Sequence, residues 1–124
     1  VARPLVGLNA VWIVFVWTTR LRNADGEVAP TVLSLVCLAG AAVLVVAAVR
    51  GGGWTRAAVP IVITHGLIWL VRGVQIAGSD HPAAFIAVHL VLAVISILLS
   101  VALVRAMRKA LPWNTTRAKP IPRI

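Results

Sequence analysis

A few polar or amphipathic side chains stand where a lipid-facing helix has least use for them. His65, Trp69, Arg72 and Gln75 all fall within residues 57–78, an apolar stretch reading AAVPIVITHGLIWLVRGVQIAG, and a second histidine, His89, lies in the next apolar run. A pair of imidazoles can ligate a haem iron or relay protons, and a guanidinium can hold a carboxylate or phosphate. On a helix, His65, Trp69, Arg72 and Ile76 fall within about 60° of one another, with Gln75 at the edge of the stripe. His65, Trp69, Arg72 and His89 therefore form a candidate boundary for an anionic, quinone-like or haem ligand. Polar groups at membrane depth are costly, so such a stripe is either sheltered by protein or is the working part of the molecule.

The elements that carry these residues follow from composition. The chain has 124 residues, 60% of them apolar and only 12% charged, against roughly 45–50% and about 25% in soluble domains. Its mean hydropathy is +0.98. A water-soluble domain of this size cannot hide so much apolar surface, whereas a bilayer can cover it. The net charge of +9 comes from ten Arg and two Lys against Asp25, Glu27 and Asp80. These cations flank apolar runs, a placement that serves anionic lipid headgroups and topology, not nucleic acid.

Four apolar runs, about 5–21, 29–49, 57–78 and 82–107, predict an all-α membrane protein, a bundle of four transmembrane helices. Residues 1–107 form the membrane domain and 108–124 a basic, Pro-containing tail. The first run ends in Trp17-Thr-Thr-Arg20-Leu-Arg22 with no small-residue cleavage pattern, so it reads as a retained helix and not a signal peptide. Asn9 is expected to hydrogen-bond another helix. Pro30 suits a first helical turn, and Pro60 is expected near the start of the third helix, where it costs little. Cys37, Gly40, Ala41 and Ala42 make a small-residue patch that lets another backbone come close. The turn at 78–82 pairs the third and fourth runs as an antiparallel hairpin. His89, Ser96 and Ser100 share one face of the fourth, and Ser96/Ser100 and Ala102/Ala106/Ala110 are small-xxx-small pairs.

Basic residues set the orientation. Arg3, Arg50, Arg56, Arg105, Arg108, Lys109, Arg117, Lys119 and Arg123 lie on one side and only Arg20 and Arg22 on the other, nine against two. This asymmetry predicts both termini in the cytoplasm of a multi-pass protein of a bacterial inner membrane. The Asn114-Thr-Thr sequon then faces away from any glycosyltransferase.

Depth tests the haem reading. With centred spans, His65 lies about 4 Å to the cytoplasmic side and His89 about 8 Å to the outer side, a separation near 12 Å. One flat haem does not bridge that. Packing histidines bonded to Ser96, Thr64 or a nearby carbonyl fit better, with Arg72 and His89 at equal depth and His65 close to Ser96. Arg72 is expected to snorkel toward the turn at Asp80 or to cap helix-end carbonyls, and next to meet a partner protein or a lipid phosphate. Transport has no visible carrier, because all three acidic residues lie in loops and the intramembrane Glu of the small drug exporters is missing. No phosphate-cradling, metal-ligand or nucleophile–base pattern occurs, and Cys37 stands alone. The reading is of a non-enzyme without a cofactor.

The stretches VWTTRLRNADGE (residues 16–27) and WLVRGVQIAGSDHPAAFIAVH (residues 69–89) resemble those of small four-span proteins of actinobacteria. Some such proteins are accessory subunits of large energy-converting assemblies, including the cytochrome bcc–aa3 supercomplex. The resemblance implies a non-catalytic accessory subunit or assembly factor of a larger membrane complex, a respiratory one. From their charge and polarity, Arg72, Gln75, Arg105, Arg108, Lys109, Arg117, Lys119 and Arg123 are the residues expected to meet partner membrane subunits or anionic lipids. The competing reading is a ligand-binding protein or small transporter built on the His65/Arg72/His89 region.

Overall fold

Long runs of Leu, Val, Ala and Ile leave a backbone in lipid one economical choice, the helix, which satisfies its own amide groups. The computed structural model describes residues 3–110 and forms them into α1 (Arg3–Arg22), α2 (Val28–Arg50), α3 (Trp54–Ala77) and α4 (Ala83–Ala110). All four are long and apolar enough to cross a membrane. The boundaries follow the expected runs within a few residues. Arg117, Lys119, Arg123 and the sequon lie outside the described residues.

Two helices start two or more residues earlier than their apolar runs. α1 begins at Arg3 because its guanidinium has work at the end of α2: Nε donates to the Ala48 carbonyl at 2.9 Å and Nη2 to that of Val49. These carbonyls are among the last of α2 and have no helical donor. Gly51 ends α2 with φ 63°, a left-handed conformation suited to glycine, and the Arg3 side chain lies 3.4 Å from where a Cβ would project. α3 begins at Trp54, which puts Pro60 in its second turn and not its first. Proline there has no N–H for the carbonyl four residues back.

α1 packs along α2 and α3 along α4, as two antiparallel hairpins. α2 meets α3, α1 meets α4, and α1 also touches α3 across the bundle. Small residues set the spacing. A Cβ on Gly66 would stand 3.2 Å from Ser100, one on Gly73 3.4 Å from Ala93, and one on Gly40 3.2 Å from Ile61. In the small-residue patch of α2, Gly40 thus lets α3 of the same chain come close, while Cys37 and Gly40 also border a cavity. Ser96 and Ser100 are buried in the bundle, whereas in the second small-residue row Ala102 is exposed and Ala106 is partly buried against the core.

α1 and α4 are joined by polar bonds. Asn9 Nδ2 donates to the Leu99 carbonyl at 3.3 Å and to its own-helix Leu5 carbonyl at 2.9 Å, the interhelical bond expected of it. Trp12 Nε1 donates to Ser96 Oγ at 2.8 Å. Around these lies an apolar core that includes Val6, Ile13, Leu44, Val62 and Leu103, all nearly or fully inaccessible.

Candidate functional site

The α3 stripe faces inward: His65 is 3% exposed and Trp69 1%. Opposite them α1 brings Trp17, also 1% exposed, across the diagonal of the bundle. Trp17 Nε1 donates to His65 Nε2 at 2.9 Å, and Trp69 Nε1 donates to the same nitrogen at 3.2 Å. One imidazole lone pair therefore serves two indoles. A nitrogen that accepts cannot carry the proton, so His65 is the neutral tautomer protonated on Nδ1. The Trp17 and Trp69 rings lie 6.1 Å apart at 51°, and Trp17 meets the imidazole edge-on at 71°.

Arg20 closes this cluster from the end of α1. Its guanidinium carbon sits 5.6 Å from the Trp17 ring centroid and 5.8 Å from that of Trp69, within cation–π range of both. The expected partners of His65 are thereby corrected. Ser96 Oγ accepts from Trp12 instead, and Thr64 Oγ1 donates to the Pro60 carbonyl at 2.8 Å.

Arg72 and His89 belong elsewhere. Both line a cavity of about 670 Å³ at the loop end of the bundle, together with Arg20 and with Asp25 and Glu27 of the α1–α2 connection. Arg72, half-buried, thus lines a cavity it shares with the α1–α2 loop carboxylates, where the sequence pointed to the turn at Asp80. His89 Nδ1 lies 2.8 Å from the Phe85 carbonyl, and its ring stacks on Phe85 at 3.9 Å, with His81 on the other side of that ring at 4.3 Å. Gln75 is exposed. The four-residue ligand boundary read from the sequence is therefore two places: His65 and Trp69 in the core, Arg72 and His89 at a polar vestibule.

The α3–α4 register separates the histidines further than centred spans do. Gly66 stands against Ser100 and Gly73 against Ala93, which sets His65 level with Val101. His89 is twelve residues from Val101, about 18 Å along the helix. A single haem does not span that distance, and His65 Nε2 is already occupied. Among the described residues no three His, Cys, Asp or Glu side chains gather into a metal-binding group.

Sequence reasoning missed Trp12, Trp17 and Arg20. The signal for Trp17 and Arg20 is the row Val6, Asn9, Ile13, then Val16 or Trp17, and Arg20, a three-and-four spacing along α1 that Trp12 lies off. It is masked because the residues between are apolar too.

Taken together, this is a multi-pass membrane protein, a four-helix bundle whose interior polar groups are tied to one another. No protein-family model matches the chain, and no curated protein or solved structure matches it.

Proposed function

We propose that this chain is a non-catalytic subunit or assembly factor of a larger membrane protein complex in a bacterial inner membrane. The observation that carries the reading is how the polar and apolar groups are distributed. Asn9, Trp12, Trp17, Trp69, Ser96 and the Nε2 of His65 bond to each other or to backbone, and no fully covered side-chain nitrogen or oxygen among the described residues lacks a partner. A group whose hydrogen bonds are all made inside the fold has little left for a reacting substrate. The outward faces, by contrast, are wide and apolar. No span buries more than 33% of its most apolar stretch within the bundle, and Ala39, Ala42 and Ala102 put small residues on the outside, where another helix can come close.

The resemblance of residues 16–27 and 69–89 to small actinobacterial four-span proteins favours a respiratory assembly. Trp17, Arg20, Asp25, Glu27, Trp69, Arg72 and His89, from those two stretches, come together at or next to the vestibule. Anionic lipid fits the opposite end. Arg105 and Arg108 border an apolar groove of about 370 Å³ between α3 and α4, whose lining includes no acidic residue. Juxtamembrane cations of this kind attract anionic headgroups by about 1 kcal/mol each.

A photo-crosslinking side chain at Ala102 tests the reading in the native membrane. The expected product is an adduct with one discrete membrane protein. Adducts with lipid alone would count against it.

A further inference from the structure

His65 has a second nitrogen that the tryptophans do not use. Both indoles bond Nε2, so the proton is on Nδ1, and Nδ1 has no hydrogen-bond partner among the described residues. A sealed nitrogen in that condition would be a buried orphan, and there is none. Nδ1 is therefore not completely covered, although the side chain as a whole is 97% covered. The described cavity that His65 lines is one of about 260 Å³ between α1, α2 and α3. Its walls are Ile13, Val36, Ile61 and Ile68, with Cys37 and Thr64 adding weakly polar edges. The Thr64 hydroxyl is committed to the Pro60 carbonyl, which leaves the imidazole N–H as the strong free donor. Val36 and Thr64 are exposed, so the mouth opens to the lipid.

Depth narrows what can enter. α3 runs from Trp54 to Ala77, and His65 sits at its middle. The hydrocarbon core is about 30 Å thick, so phospholipid ester carbonyls, held at its edges, lie about 15 Å away. An acceptor at mid-depth must be carried by a molecule that is itself apolar. A cavity of this size suits a one- or two-ring head, and an apolar pocket with one convergent polar group orients such a ring.

We infer that this cavity binds a lipid-soluble quinone, held by a hydrogen bond from His65 Nδ1 to a quinone carbonyl oxygen. The bond is a binding contact and involves no transfer of electrons. The paired indoles are positioning residues, because they hold Nε2 and so fix the proton on the nitrogen they leave free. The inference stands apart from the subunit reading, since it holds whether or not another protein lies against the bundle.

The test uses the full chain in nanodiscs and two rings of nearly the same shape, 2-methyl-1,4-naphthoquinone (menadione) and 2-methylnaphthalene, which has no carbonyl. Binding is followed by the side-chain ¹⁵N resonances of histidine, with tryptophan fluorescence as a second readout. Menadione is expected to bind about tenfold more tightly than the hydrocarbon and to move the His65 Nδ1 resonance. Thr64→Phe, which fills the mouth from an exposed position, should weaken menadione binding at least as much, while Val94→Phe, on an exposed face of α4 that does not line the cavity, should leave it unchanged. Equal binding of the two rings, no binding of either, or an unmoved Nδ1 resonance would overturn the inference. The comparison of rings needs no variant, so a misfolded Thr64→Phe protein leaves the test intact.

Discussion

His65 accepts two indole N–H bonds through one lone pair, and this makes it the most consequential single side chain in the bundle. Removing the acceptor leaves two buried donors without a partner, whereas removing one donor leaves the acceptor still served. An orphaned buried group costs roughly 1–3 kcal/mol, while a lost bond with its partner still satisfied costs about 1 kcal/mol or less in a membrane. His65→Leu should therefore destabilise the fold by about 2–4 kcal/mol and Trp17→Phe by about 1 kcal/mol, read as unfolding free energy in mixed micelles. Equal losses for the two variants would show that the indoles pack on the ring without bonding to it. The expense of polar groups at that depth left two alternatives for the α3 stripe, shelter or work, and the bundle divides it: His65 and Trp69 are sheltered by protein, Arg72 lines the vestibule and Gln75 is exposed. That the partners of His65 would be tryptophans was not legible, because the residues leading up to Trp17, from Val11 to Val16, are apolar enough to face either lipid or protein.

The helices are held in register by a few local devices, and two of them make opposite predictions from the same residue type. Gly66→Ala puts a methyl group 3.2 Å from Ser100, so α4 must move or lose contact. Overpacking of that kind costs about 1–3 kcal/mol. Gly7→Ala meets only Ala48 at 3.9 Å, an ordinary contact, and should be neutral or stabilising by up to about 1 kcal/mol through better helix propensity. Thermal stability in detergent separates the two. Arg3 works differently, as a side chain from one helix that finishes another. Arg3→Ala should cost about 0.5–1.5 kcal/mol, with faster amide exchange confined to the last turn of α2. The helix count, the spans and the Asn9 bond were all readable in the sequence, because hydropathy and lipid exclusion act through composition. The α3–α4 register was not. It depends on where Gly66 and Gly73 let the backbones meet, and centring each span in the bilayer misplaces His65 and His89 relative to one another by about 6 Å.

Across the bundle, polar chemistry is turned inward and apolar surface outward, an arrangement suited to lying against other helices. Two open polar features depart from it: the vestibule of Arg20, Arg72 and His89, and the imidazole N–H at the α2–α3 cavity. The first is placed to meet a partner or a headgroup at the membrane surface, the second to meet a ring within the hydrocarbon. Neither assembles a nucleophile with a base. The account stands or falls on whether the chain has a protein partner. Native mass spectrometry of the protein, extracted in a mild detergent from the membrane in which it is made, answers that directly. The account predicts a complex in which this chain is accompanied by at least one different membrane subunit at fixed ratio. The mass of the chain alone, or of copies of the chain alone, would contradict it.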